Sequence, residues 1–353
     1  MTDDRQEALI REAIAAEADQ AVDSRAVLAN LHGKRSRRRP FTLLAAAGLT
    51  VAAAAVAVVV PLTVQQSASP AGVDPAAPPT TGPAQTVLLI GLDGATNTDS
   101  VVLARLAGDG TVSVASLPRD SVVDIPGVGR GKLNSAYARA HAAAQAEGRD
   151  GDLAGLESLT RTVEALTGVK VDHYAAVGMA AFSTLSDAVG GVEVCLKEAA
   201  RDPFSGVDLP AGPQALSGAQ ALAFLRQRHG LANGELDRVL RQQAFLRALA
   251  ARVSGADPAK VTELVQVAAT TVRVDPGLDV LEFAGRLTPT VRTAIIPLGG
   301  PVETDQGQGI EVDPAAVRSF MAGFFADGAT GVPTGGQSVP TPAAEAGGPD
   351  CVR

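Results

Sequence analysis

The chain has 353 residues, a net charge of −8, 46% hydrophobic residues and only 3% aromatic residues, with no Trp. After its N-terminal segments it is long enough to bury one sizeable α/β core, and one domain is the default. The acidic balance, with a single basic block at residues 34–39, argues against a nucleic-acid partner, which would need a broad cationic face.

Residues 1–33 alternate acidic residues and Arg with apolar positions such as Leu9, Ile10, Ile14 and Ala15, the spacing of an amphipathic helix. No charge occurs from 41 to 64, where Ala, Val and Leu dominate, and about 20 such residues cross hydrocarbon as a helix. Lys34, Arg35, Arg37, Arg38 and Arg39 precede this run and the first charge after it is Asp74. By the positive-inside rule the N-terminus is then cytoplasmic and everything from about residue 65 is outside. A cleaved signal peptide would have a shorter charged lead and an apolar run of about 7–15 residues, so a single-pass anchor in the cell membrane is the expectation. The expected organisation is a cytoplasmic segment 1–40, a transmembrane helix 41–64, a linker 65–84, a folded domain 85–327 and a flexible tail 328–353. Linker and tail are both rich in Pro, Ala and Thr, a composition that does not pack a core.

Within the domain, β-rich runs stand at 86–91, 101–106 and 112–117, each ending in or closely followed by Gly, Asp or Pro, so three strands open it. Apolar residues spaced three and four apart predict helices over 136–144, 153–166, 179–189, 217–225, 237–253 and 258–269. Strands return at 173–177, 192–196 and 291–296. Strands alternating with long helices predict an α/β fold, a three-layer α-β-α sandwich with a central mixed sheet, preceded by one transmembrane helix.

Several chemistries lack their residues. GVGRGKL at 127–133 is no phosphate loop, because Pro126 stands where the first Gly is needed and Leu133 where Ser or Thr would meet magnesium. There is no GxSxG elbow and no GxGxxG after a strand. His32, His141, His173 and His229 are scattered without zinc-ligand spacing. Cys195 and Cys351 both fall on the expected outer side, where they either bridge or remain two free thiols.

What remains is positioned charge. Asp93 follows the apolar strand TVLLIG and Asp99 opens the next, so both carboxylates can converge where α/β sheets bind ligands. Such oxygens suit Mg²⁺, with Mn²⁺ an alternative; the plainer use of two aspartates is turn formation. Arg119 follows Pro118 at a strand end, and Arg226 and Arg228 point the same way if their segment is extended. Arg238 and Arg241 share a helical face with Gln242 beside them. Planar guanidinium groups bind phosphate oxygens bidentately, although each could instead serve a surface ion pair with Asp120, Glu235 or Asp237.

Taken in order, SLPRDSVVDIPG at 116–127, KLNSAYA at 132–138, DAVGGVEV at 187–194, and ALAFLRQRH followed by DRVLRQQAFL at 237–246 resemble the LytR-CpsA-Psr proteins. The resemblance covers roughly residues 84–250 and implies an α-β-α fold. It further implies a membrane-anchored, extracytoplasmic phosphotransferase with Mg²⁺ as cofactor. Such an enzyme attaches a glycopolymer from a polyprenyl pyrophosphate carrier to peptidoglycan, with pyrophosphatase activity as a side reaction. Asp93 and Asp99 match its metal-associated acids, and Arg119, Lys132, Arg226, Arg228 and Gln242 its pyrophosphate contacts. Glu235 stands where the family commonly has Asp, Arg238 and Arg241 belong to the same helix motif, and Asn97 replaces an Arg. Asp93, Arg119, Arg226 and Arg228 are the expected catalytic group, with Asp93 the first candidate for general base. A non-catalytic module binding polyprenyl phosphate or cell wall, and a signalling protein acting through residues 1–40, are the other readings.

Overall fold

A computed structural model describes residues 82–94, 97–326 and 351–353, all within the unit Gly72–Arg353. The segments expected at 1–40 and 41–64 lie outside the described residues, as does nearly all of the linker. Among the described residues no helix is long and apolar enough to cross a membrane.

Strands β1 (Gln85–Asp93) and β2 (Asn97–Leu106) form an antiparallel hairpin. β3 (Val112–Ser116) pairs antiparallel with β2, and β6 (His173–Gly178) parallel with β1. With β11 (Val272–Val274) and β12 (Val291–Ile295) at the edges, they make a mixed six-stranded sheet of order β11-β6-β1-β2-β3-β12. Because side chains alternate along a strand, β2 serves two cores. Val101 and Leu103 pack into the first, and Val102, Ala104 and Leu106 into the second.

The first core is closed by helices α1 (Leu133–Ala146), α2 (Gly151–Thr167) and α8 (Pro314–Phe324), which contribute Tyr137, Leu156, Leu159, Val163 and Phe320. Removing a buried leucine such as Leu88 or Leu103 would cost about 2–5 kcal/mol. α2 starts where Asp150 accepts a hydrogen bond from the Leu153 amide at 3.1 Å and stops at Gly168, whose φ of 69° is a left-handed cap. The second face is covered by α5 (Glu235–Ser254) and α7 (Val280–Arg286) through Leu246 and Phe283. Helices α3 (Met179–Ala188), α4 (Gly218–Arg226) and α6 (Pro258–Thr271) join α5 around a third cluster containing Val192, Phe224 and Phe245. Helices on both faces of the large sheet match the expected layering.

The expectation of one central sheet needs extending, since three smaller sheets accompany it. β4 (Ser121–Ile125), β5 (Gly129–Lys132), β13 (Pro301–Thr304) and β14 (Gly307–Glu311) form one of four strands. β8 (Ala200–Asp202) and β9 (Val207–Leu209) form a short hairpin. The third joins β7 (Val192–Leu196), β10 (Gly212–Leu216) and β15 (Cys351–Val352). Cys351 is in register with Cys195 and disulfide-bonded to it, and the Lys197 amide donates to the Val352 carbonyl at 2.8 Å. The last three residues, expected in a flexible tail, are therefore fixed to the domain by a covalent bond and a strand ladder, and of the two states open to Cys195 and Cys351 the bridge is the one formed.

Candidate functional site

The β1–β2 ladder carries an irregularity with chemical consequences. Gly91 pairs with Ser100, but the next pair is Leu92 with Thr98, which leaves Asp99 as the extra residue of a bulge. A bulge releases a residue from the ladder and re-aims its side chain. Asp99 Oδ1 accepts hydrogen bonds from Arg119 Nη1 at 2.6 Å and Arg228 Nη2 at 3.0 Å, and lies 3.7 Å from Arg238 Nη1. Arg238 Nη2 also donates to the Asp99 carbonyl at 3.1 Å and to Glu235 Oε1 at 2.5 Å.

Three separate segments thus deliver cations to one carboxylate. Arg119 lies just beyond β3, where the Ser121 amide donates to the Pro118 carbonyl and the Asn134 amide to the Arg119 carbonyl. Arg226 ends α4, and Gln227 is extended at φ −56°, ψ 133°. Gln227 is buried, and its side chain donates to the His229 carbonyl and accepts from Arg241 Nη1, so Arg226 and Arg228 flank a fixed residue. The rotation of α5 is set by buried Gln243, which donates to Ser116 Oγ at 3.0 Å and the Ala294 carbonyl at 2.9 Å. That link presents Arg238 and Gln242 to β2.

The other expected site residues fall at graded distances. Arg226 Nη2 is 3.9 Å from Asp93 Oδ1, and Gln242 Oε1 accepts from Ser100 Oγ at 3.3 Å. Lys132 Nζ lies 3.3 Å from Asp120, whose other oxygen is 3.5 Å from Arg119 Nε. Asn97 sits exposed on the hairpin, paired with Asp93. Arg241 does not join the group. It is buried against Gln227, the Phe224 carbonyl and the main-chain oxygen of Arg353, with its guanidinium carbon 5.0 Å from the centre of the Phe224 ring. Helical spacing places two arginines on one face, but it does not tell which of them meets carboxylates.

Burial pulls the Arg228 pKa below its usual value, and the neighbouring charges of Arg119 and Arg238 add to the effect against Asp99 and Glu235. Arg119, Lys132, Arg226, Arg228 and Arg238 stand against Asp93, Asp99, Asp120 and Glu235, so cations are in excess here, a field that favours a polyanion. The buried Arg238 Nε has no hydrogen-bond partner.

Asp99, Ser100, Arg226, Arg238 and Gln242 stand at the polar end of a cavity of about 370 Å³. The rest of its wall is apolar, including Phe182, Leu185, Leu225, Leu249, Val261 and Leu264. Neither that wall nor the bonds of Gln243 and Gln227 had a sequence signal separating them from ordinary core.

Among the described residues no group of three or more His, Cys, Asp or Glu gathers to hold a metal. Mg²⁺ commonly takes only one or two carboxylates and completes its shell with phosphate oxygens and water. The donors Asp93 and Asp99 fit a cation that arrives with a phosphate ligand and do not form an all-protein cage.

The LytR_cpsA_psr family model matches residues 60–302, more than half of the chain. Cell wall biosynthesis protein LcpA of Corynebacterium glutamicum is 39% identical over 248 residues, covering 64% of this chain and 48% of LcpA. The polyisoprenyl-teichoic acid–peptidoglycan teichoic acid transferase TagU of Enterococcus faecalis is 28% identical over 233 residues, covering 63% of this chain and 69% of TagU. The chain thus spans about half the length of LcpA. In three dimensions it resembles the crystal structure of B. subtilis TagV with a TM-score of 0.56 at 23% identity, over 69% of this chain and 97% of TagV, a likeness of fold. With the family model spanning both carboxylates and every cation at the bulge, the chain belongs to the LytR-CpsA-Psr family.

Proposed function

We propose that this protein is a membrane-anchored, extracytoplasmic phosphotransferase that attaches a glycopolymer from a polyprenyl pyrophosphate carrier to peptidoglycan. The observation that carries the reading is the meeting of Arg119, Arg228 and Arg238 on Asp99 at the mouth of a deep apolar cavity. A diphosphate with a hydrocarbon tail has the matching halves. The names of TagU, a teichoic acid transferase acting on peptidoglycan, and of LcpA, a cell wall biosynthesis protein, support the substrate class.

In this mechanism the arginines exchange carboxylate contacts for phosphate oxygens, and the tail occupies the cavity. A sugar hydroxyl of the wall attacks the glycan-side phosphorus as the bond to the polyprenyl phosphate breaks. The carrier leaves as polyprenyl phosphate, and the proton of the attacking hydroxyl passes to Asp93. Asp93 and Asp99 would also hold Mg²⁺, which when bound supplies neutralisation of charge on the pyrophosphate. Such catalysis is mainly positioning and electrostatic stabilisation.

The test is transfer of labelled glycan from a polyprenyl pyrophosphate donor to peptidoglycan by the full chain in detergent, with and without EDTA. Transfer that requires Mg²⁺ and falls in Arg119→Ala and Arg228→Ala supports the proposal. Tight donor binding with no turnover under any metal would replace it with the binding-module reading.

A further inference from the structure

Phe204 occupies the turn between β8 and β9 and is 79% exposed, more than any other large hydrophobic residue among those described. In a chain with 9 Phe, 2 Tyr and no Trp, this is a costly place for an aromatic ring, since burying apolar area is worth about 25 cal/mol per Å². The ring is also held in place. The Phe204 amide donates to Asp202 Oδ1 at 3.0 Å, and Asp202 is itself buried. The other Asp202 oxygen is 3.4 Å from the Arg228 amide, so one carboxylate ties the hairpin to the segment carrying Arg228. The Phe204 ring rests on the His229 imidazole, with centroids 4.3 Å apart and planes 36° apart. His229 directly follows Arg228, whose guanidinium grips Asp99.

A single aromatic face therefore stands beside the anion clamp with polar neighbours. On the same hairpin Arg201 Nε meets Asp208 Oδ1 at 3.1 Å, both largely exposed. One ring against an imidazole, on a hairpin that also carries an exposed guanidinium and carboxylate, is too small and too polar to dock a helix or enter a bilayer. It matches a pyranose, which has an apolar C–H face and a rim of hydroxyls. We propose that Phe204 and His229 form a sugar-binding subsite next to the phosphate clamp, with Arg201 and Asp208 available to the hydroxyls. The subsite rests on the transferase reading for its role, though not for its binding. The pyranose could belong to the acceptor glycan or to the first sugars of the donor.

The test uses the full chain in detergent with two probes: a soluble β-1,4-linked N-acetylglucosamine tetrasaccharide for the acceptor, and a polyprenyl pyrophosphate carrying a disaccharide for the donor. Phe204→Ala is expected to weaken binding of one probe about 3- to 10-fold, the size of a specific aromatic contact. Phe204→Trp should restore it, and Leu153→Ala, which removes an exposed leucine elsewhere, should leave it unchanged. In turnover the loss should fall on KM for the same partner. Loss with the tetrasaccharide assigns the acceptor; loss confined to the donor assigns its sugars. Unchanged affinity and KM for both would overturn the subsite while wild-type turnover keeps the transferase reading. Weaker binding to sugar-free phospholipid vesicles, with both glycan affinities intact, would also overturn it and make Phe204 a membrane contact. Phe204-dependent sugar binding by a wild-type protein without turnover would keep the subsite and discard the transferase.

Discussion

Arg238 and Arg241 lie one turn apart on α5, and each is only 2% exposed, yet they are satisfied by opposite means. Arg238 faces Asp99 and Glu235, two carboxylates. Arg241 meets the Gln227 amide, the Phe224 carbonyl, the main-chain oxygen of Arg353 and an aromatic ring. Burial outweighs the nearby charge of Asp237 and pulls the Arg241 pKa down to about 10. It is still charged at neutral pH, held for architecture. Arg238 is balanced by groups that a phosphate can displace. The difference teaches that a guanidinium becomes available to a ligand when its present partner is itself an anion at an open mouth.

The largest expected effect sharpens this contrast. Arg238→Ala should lower glycan transfer about 10²- to 10³-fold, as loss of one transition-state donor does, with a smaller change in thermal stability. An Arg241→Ala protein as inactive as Arg238→Ala, at unchanged melting temperature, would break the comparison. Next comes the disulfide, which closes a separation of 156 residues and brings the main-chain oxygen of Arg353 to Arg241. Cys195→Ser should cost about 2–4 kcal/mol in denaturant unfolding. Arg241→Ala should cost about 1–3 kcal/mol by leaving Gln227 and the main-chain oxygens without their donor. If they share one network, the double variant should lose less than the sum of the two, as measured in a double-mutant cycle.

The smallest effect concerns acid. Burial would raise the carboxyl pKa of Asp152, but hydrogen bonds from Tyr137 at 2.8 Å and Arg273 at 2.6 Å outweigh it and hold it below 3.8. In Asp275 burial is likewise outweighed, by His173 and the amides of Tyr174 and Gly277. Both folded values lie below the unfolded one, so the unfolded chain binds more protons in acid. Their stabilisation is complete above the unfolded value and is lost as pH falls through the lowered ones. The denaturation midpoint should be flat above about pH 5 and drop below about pH 4, with a shallower drop in Asp152→Asn.

Much of this arrangement was legible in the sequence. The β-rich run at 101–106 announced a strand, and its Val101 and Val102 lie in different cores. Arg226 and Arg228 were expected to point together if their segment were extended; Arg226 instead ends a helix and only Gln227 is extended, yet both reach acids of the β1–β2 hairpin. The bulge was not legible, because it exists only in the register between two strands. Nor was the position of Arg241, whose acceptor lies 112 residues away beyond a stretch that reads as linker. Gln243 looked like any helix residue until β3 and β12 supplied its partners.

The bulge at Asp99 has a consequence for how this fold can diversify. Beyond it, among the described residues, the hairpin has two pairs, Leu92 with Thr98 and Asp93 with Asn97, while the deeper ladder is pinned by Leu88 opposite Leu103. Residues inserted into the crossing from Asp93 to Asn97 would lengthen an overhang without sliding the buried register. The hairpin tip is therefore a natural grafting point, where evolution or an engineer can reshape the entrance while the foundation stays still.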